Sequence, residues 1–322
     1  MKSHGEIASS EGTTGGFGIV ARMEGPHALA RALPLVVFAG LCFSTLDATA
    51  KWLVQDHPLF AVVWARYAGQ MLVATPIAWH RGGAGFWRTK HLRMQLVRSL
   101  FLAVATMCVF GALRFLPLAE GSAISFMAPM FAIVLSQWVL SEKPTRARWI
   151  AAISGFAGIV ILVRPGSAVF HPATVLLLGA AMSNAMYQLL TRRLTGDTPH
   201  TTLFYSGLVG TIVLSAAIPW METPSELTFR DAGFMLELGL LAGLGHWMLI
   251  SAYLKAPAAL VAPFTYLQMI WATLYGWFVF GHLPDFLSAV GMGVIVASGV
   301  GLVVHERNAA RAFVDYRRNR TL

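Results

Sequence analysis

The chain is divided into apolar runs, each about 20 residues long, by short segments that hold proline or glycine. In hydrocarbon every backbone N–H and C=O must find its partner inside the protein. Runs of this length therefore read as spanning helices. Ten are found, near residues 33–53, 59–79, 95–114, 118–140, 148–164, 172–190, 201–220, 232–253, 258–281 and 285–304. The breakers between them include His57-Pro58, Gly82-Gly83, Pro117, Lys143-Pro144, Arg164-Pro165-Gly166, Pro199, Pro224, Pro257 and Pro284. The expectation is an all-α membrane protein of ten transmembrane helices, with no room for a soluble domain between them.

Composition agrees. Only 12% of the residues are charged and 56% are hydrophobic, whereas a soluble domain is about 25% charged. The net charge of +9 comes from basic residues in short segments between the runs. With a cytoplasmic N-terminus, the inner segments hold Arg81, Arg88, Lys90, Arg93, Lys143, Arg146, Arg148, Arg192, Arg193, Lys255 and the Arg-rich tail. The outer loops hold only Arg114, Arg164 and Arg230. This asymmetry places both termini in the cytoplasm of a multi-pass inner-membrane protein. It also accounts for the charge without a nucleic-acid partner; the basic tail sits beside anionic lipid. Cys42 and Cys108 lie in apolar runs and suggest neither a disulfide framework nor a metal site.

Residues 1–32, rich in Gly, Ser and Thr, read as a disordered cytoplasmic leader. Sliding the chain by about 140 residues sets Pro117 on Pro257, Phe126 on Tyr266, Glu142 on His282 and Pro144 on Pro284. The units are then 33–164 and 172–304, followed by a basic tail at 305–322. Each unit holds five spans. An odd number makes the second enter the membrane the opposite way round, giving two inverted five-helix repeats.

Several segments strengthen this reading. The first unit carries DATAKWL, WARY, LPLAEGSAISFMAPM, SEKP and GFAGIVILVRPG. The second carries SNAMYQLLTRRL, GLGHWMLISAYLKAPAALVAPFTYLQ and FGHLPD before a Gly-rich span. In order and spacing the chain resembles the EamA-type family of the drug/metabolite transporter superfamily, over about residues 34–304. The resemblance implies ten helices in two repeats, cytoplasmic termini and a central cavity for a small solute. It also implies an acidic turn after the fourth helix of each half. Glu142 matches, His282 departs, and Ser141 stands where glycine is usual.

Polar residues inside the spans are the candidate site. Asp47, Lys51 and Arg66 are charges placed where lipid would make each of them costly. Helix rise puts Asp47 and Arg66 at one depth, and Asp47 and Lys51 share a helical face. The trio reads either as a mutually neutralised lining of a polar cavity or as a structural ion pair with Lys51 snorkelling outward. Asn184 and Gln188 share a face, and His246 and Gln268 sit deep in their spans. These line a substrate cavity or make interhelical hydrogen bonds. His246 is a candidate proton carrier. Among the aromatics, Tyr266 and Trp271 are candidates for stacking on a solute. Arg114 and Glu120 form a candidate outer gate pair, to which Glu142 adds a coupling acid; Glu120 also suits a helix start. Pro129 and Pro263 interrupt spans and are candidate hinges.

These features favour a secondary carrier for a small organic metabolite, drug-like or amino-acid-like solute, working by alternating access, with protons as a candidate coupling ion. A membrane-embedded enzyme would need facing carboxylates, a nucleophile with its base, or clustered histidines. The histidines are scattered, mostly in the loops. No cofactor is expected, and no Walker loop marks an ATP-driven pump. A receptor or structural role is the remaining alternative. The sequence leaves substrate, direction and oligomeric state open.

Overall fold

The computed structural model describes residues 26–141, 143–166, 170–194, 196–220, 227–256 and 258–320. All regular structure among them is helical. The helices are α1 (Pro26–Asp56), α2 (Leu59–Gly82), α3 (Leu92–Leu113), α4 (Leu118–Ser125), α5 (Ala128–Val139) and α6 (Arg146–Val163). They continue as α7 (Thr174–Arg193), α8 (Pro199–Ala217), α9 (Phe229–Lys255), α10 (Ala258–Thr265), α11 (Leu267–Phe280) and α12 (Phe286–Arg320). Seven helical stretches among the described residues are long and apolar enough to cross a membrane. They are α1 from Leu29, α3, α4 with α5, α6, α8, α9, and α12 as far as Ala309. Residues 26–32, expected in the leader, already belong to α1. The basic tail continues α12 as helix to Arg320. Residues 1–25 and Glu142 lie outside the described residues.

Local chemistry sets several helix starts. The hydroxyls of Thr145 and Thr198 accept from the amides of Arg148 and Thr201, capping α6 and α8. Thr228 and Asp231 close a reciprocal capping box on α9. Pro58 and Pro117 precede α2 and α4, where no helical N–H is lost. The expected interruptions are present, but the prolines explain them unequally. Between α4 and α5 the chain tightens at Phe126 and Met127, and Pro129 follows within the first turn of α5. Pro263 lies inside α10, ahead of the break at Tyr266.

The C-terminal stops carry a small strain. Gly281 ends α11 at φ 65°, and the residue that follows α5's last turn, Ser141, adopts φ 56°. A side chain in this left-handed region costs about 1–2 kcal/mol, a penalty that glycine escapes. Ser141→Gly is therefore expected to raise the thermal midpoint of the purified protein. Ser141→Ala, which keeps the Cβ, is expected to leave it unchanged or lower it.

Helix pairing is regular. α1 packs on α9 and α7 on α3; α2 packs on α9 and α8 on α3; α1 meets α11 and α7 meets α5. Two further pairs, α2 with α8 and α6 with α12, pack antiparallel. Tyr67 lies by Gly210 and Met71 by Gly207, while Gly155 meets Ser298 and Gly158 meets Ile295. One apolar core joins α4, α5, α6, α7 and α12; another joins α1, α2, α3 and α9. Large apolar side chains such as Ile150, Ile153, Val175 and Phe278 face outward, as lipid contact requires.

Candidate functional site

Polar groups gather in three layers along the bundle. In the middle layer, α1 contributes Asp47 and α2 contributes Arg66 and Gln70. Phe43 of α1 packs on Gly245 and His246 of α9, and Gly239 of α9 touches Gly69 of α2. This register sets Asp47 level with the Arg66–Gln70 turn, and the two charges act on each other. No hydrogen bond or ion pair joins them among the described residues. Arg66 is 5% exposed, and its guanidinium lies 4.5 Å from the centre of the Tyr67 ring. Its Nη1 is buried without a hydrogen-bond partner among the described residues, as are both amide atoms of Gln70.

The other expected cavity residues divide. His246 Nδ1 lies 2.7 Å from the Ala242 carbonyl, so this nitrogen carries the ring proton; the ring edge meets Phe43. Trp271 has a buried Nε1 without a partner among the described residues. It stands level with α1 residues 44–48, because Ser44 donates to the Gln268 carbonyl and Ala272 packs on Ala48. The Gln268 contribution there is thus made by its backbone. Asn184 and Gln188 are half-buried on α7, and their side chains make no hydrogen bond among the described residues. Tyr266 is taken up by packing: it stacks on Phe126 at 4.9 Å, and its hydroxyl abuts Gly299.

Two expected pairings are replaced. Lys51 does not pair with Asp47; its Nζ donates to the carbonyls of Leu113 and Leu116, each at 2.7 Å. An ammonium at a helix C-terminus satisfies carbonyls that the helix itself leaves open, which outweighs the acid one turn away. Glu120 does not pair with Arg114. Its Oε1 lies 3.2 Å from His282 Nε2, and Gln55 donates to the Arg114 carbonyl. His282, in the α11–α12 loop, thereby bridges the two halves of the chain.

These contacts belong to one end of the bundle, where Arg164 also pairs with Asp285 and His57 Nε2 stands 3.4 Å from Asp231. The Arg164 guanidinium and the Ser288 amide hold the Asp285 carboxyl well below the usual carboxylate range. At the opposite end, Asp197 accepts from Thr89 and Gln95. Burial opposes its ionisation, but those hydrogen bonds prevail and hold its pKa low. Arg148 pairs there with Glu306.

Three residues passed over in the sequence matter here. Gln70 follows Arg66 by the same four-residue spacing that singles out Asn184 and Gln188, so it was legible. Arg98 and Gln95 sit near the start of a span, where basic and amide groups read as interfacial. Both are fully buried, and Arg98 bonds Thr191, the Thr202 carbonyl and Ser206. A separate groove of about 400 Å³ lies between α10, α11 and α12, lined by Met269, Ile270, Met292 and Val296 among others. It is nearly all apolar and its lining contains none of the buried polar atoms that lack a partner among the described residues.

The model of the EamA-like transporter family matches the chain twice, at residues 30–164 and 171–304. The chain belongs to the EamA-like transporter family. The first match takes in α1 to α6 and the second α7 to α12. A riboflavin transporter of Vibrio cholerae is 29% identical over 88% of this chain and 96% of its own length. A pseudopaline exporter of Pseudomonas aeruginosa is 30% identical over 83% and 94%. An S-adenosylmethionine uptake transporter of Rickettsia bellii is 26% identical over 83% and 91%. A crystal structure superposes with a TM-score of 0.63 at 20% identity, covering 86% of this chain and 98% of that one. It is a likeness of fold. This EamA-like chain is thus a multi-pass membrane protein of a transporter family, and not an enzyme.

Proposed function

We propose that the protein is a secondary carrier that moves a small organic solute across the cytoplasmic membrane by alternating access. Ten crossings form two five-helix repeats of opposite orientation, with both termini in the cytoplasm. The observation that carries this reading is the layer of buried, unpartnered polar atoms of Arg66 and Gln70 in the middle of the bundle. Such groups are costly in a membrane unless water or a solute reaches them. The end layers, Glu120–His282 on one side and Asp197 with Thr89 on the other, suit gates that open in turn.

The inverted arrangement has its own support. A shift of about 140 residues carries α4 onto α10 and α2 onto α8. Phe126 and Tyr266, counterparts under that shift, stack on each other. Counterpart helices α2 and α8 run antiparallel, as do α6 and α12. A twofold axis through the Phe126–Tyr266 stack and lying in the membrane plane produces these contacts. Access then alternates when one repeat rocks against the other.

The relatives include uptake and export proteins, so they leave direction open. Riboflavin, S-adenosylmethionine and pseudopaline form the first panel to test. Purified full-length protein in liposomes is expected to give saturable flux of at least one small organic solute, driven by its gradient. An imposed pH gradient in the same assay tests coupling to protons. Folded, inserted protein that passes no member of a broad metabolite panel in either direction would overturn the carrier reading. Conversion of a solute without flux would favour an enzyme.

A further inference from the structure

Resting on the carrier reading, we infer that the middle layer selects solutes bearing one carboxylate group with a net charge of −1, which Arg66 and Gln70 hold. The inference starts from an imbalance of donors and acceptors. A guanidinium stays charged at any accessible pH and presents five donors. Arg66 is 5% exposed, yet no carboxylate bonds to it among the described residues, and its Nη1 has no partner. Burying such a group without a bonded counter-charge costs several kcal/mol. A solute carboxylate supplies the counter-charge and accepts the hydrogen bond.

Gln70 points to the same ligand. It lies one helical turn beyond Arg66 on the same face of α2 and is fully buried, with both amide atoms unpartnered. Its Nε2 is a second donor beside the guanidinium. Trp271 Nε1, from α11, is another buried donor without a partner among the described residues. Three buried donors, Arg66 Nη1, Gln70 Nε2 and Trp271 Nε1, thus stand unpartnered beside one unpartnered amide acceptor, Gln70 Oε1, and the excess of donors asks for an acceptor group.

The supply of cations sets the limit on charge. Asp47 is level with Arg66, but no hydrogen bond joins them among the described residues. One added carboxylate takes the hydrogen bonds that Arg66 offers. A second finds no other available cation in the layer among the described residues, because Lys51 is held by the Leu113 and Leu116 carbonyls and Arg98 by Thr191, Thr202 and Ser206. An unpaired charge in a poorly solvated space is costly. Tyr67 and His246 also face Arg66. The Tyr67 hydroxyl is hydrogen-bonded to Thr106, and His246 donates Nδ1–H to the Ala242 carbonyl, with no hydrogen bond from its Nε2 to Arg66 among the described residues.

The test is equilibrium binding to purified full-length protein in detergent. The probes are monocarboxylates graded in size from acetate through phenylacetate and nicotinate, each paired with its own neutral amide and with a dicarboxylate. At least one monocarboxylate is expected to bind about tenfold or more tighter than its amide and its dicarboxylate partner. Arg66→Gln is expected to remove that preference, with monocarboxylate binding weakened about tenfold or more. Gln70→Glu covers the event that Arg66→Gln does not fold. It places a carboxylate beside Arg66, so it is expected to raise the thermal midpoint and abolish monocarboxylate binding. A purely structural Arg66 would show the first effect without any loss of binding. The inference is overturned if no monocarboxylate is preferred, or if the preference survives both substitutions. Liposome flux that persists without such a preference would leave the carrier reading standing and this inference refuted.

Discussion

Gly239→Leu is expected to abolish accumulation of the folded protein. A Cβ at Gly239 would stand 2.2 Å from the Cα of Gly69, 2.4 Å from its carbonyl carbon and 2.7 Å from the Gln70 nitrogen. All three are backbone atoms, so no rotamer change relieves the clash. α2 and α9 must separate, and with them the contacts of α1 with α9 and the layer that holds Arg66 and Gln70. Overpacking a fitted site costs about 1–3 kcal/mol even where side chains can adjust; here they cannot. Gly239→Ala already introduces the clash and is expected to destabilise too. Gly233, two turns earlier on the same helix, has open space where its Cβ would be. Gly233→Ala is the matched control and is expected to be neutral or slightly stabilising, since alanine favours helix by about 0.5–1 kcal/mol. Membrane yield and the thermal midpoint in detergent measure both. A Gly239→Leu protein with a normal midpoint would refute the close α2–α9 approach.

Arg98→Ala is expected to be the most damaging single loss of a polar side chain. Arg98 is fully buried on α3. Its Nη1 donates to Thr191 at 3.1 Å, and its Nη2 to the Thr202 carbonyl at 2.9 Å and to Ser206. The guanidinium also lies 4.6 Å from the centre of the Tyr187 ring. One side chain therefore ties α3 to α7 and α8. Truncation leaves buried acceptors unpaired and a cavity the size of the side chain. Each buried hydrogen-bonding group left unsatisfied in this way costs about 1–3 kcal/mol. Arg98→Lys keeps the charge but not the fork, so it is expected to recover only part of the loss. Each arginine has one buried nitrogen without a partner among the described residues, Nε of Arg98 and Nη1 of Arg66. Arg98 donates to three groups on two other helices, so its loss lowers the thermal midpoint. No hydrogen bond from Arg66 to another helix is present among the described residues, so Arg66→Gln is expected to lower binding with a much smaller change in the midpoint. Equal midpoints for Arg98→Ala and the parent would show that the buried network is not what joins these helices.

Much of the helical framework was legible in the chain because the bilayer leaves few options. A run such as LPLVVFAGLCF must close its backbone bonds within itself, and Pro58, Pro117 and Pro199 mark where it cannot continue. Positive φ at Ser141 was foreshadowed by Gly281, its counterpart one repeat later. The common depth of Asp47 and Arg66 also followed from helix rise alone. Lys51 shows where such reasoning stops. Spacing on α1 favours Asp47, but the carbonyls of Leu113 and Leu116 come from another helix, and no pattern within α1 reports their approach. Glu120 is similar, since His282 is far away in sequence and arrives from the other repeat.

The amino-acid sequence by itself determined a helical membrane chain, the places where several of its helices stop and which polar residues lie inside them. These depend on hydropathy, helix rise and the stops made by proline and glycine, all local quantities. The tertiary structure alone decided which polar side chains are satisfied and which remain available. That outcome depends on the rotation of each helix about its axis and on how closely neighbours approach. Those are set by contacts such as Gly69 on Gly239 and Tyr67 on Gly210, made between residues far apart in the chain. Through them Lys51 and both terminal nitrogens of Arg98 find acceptors, while Arg66 Nη1 and both Gln70 amide atoms have no partner among the described residues.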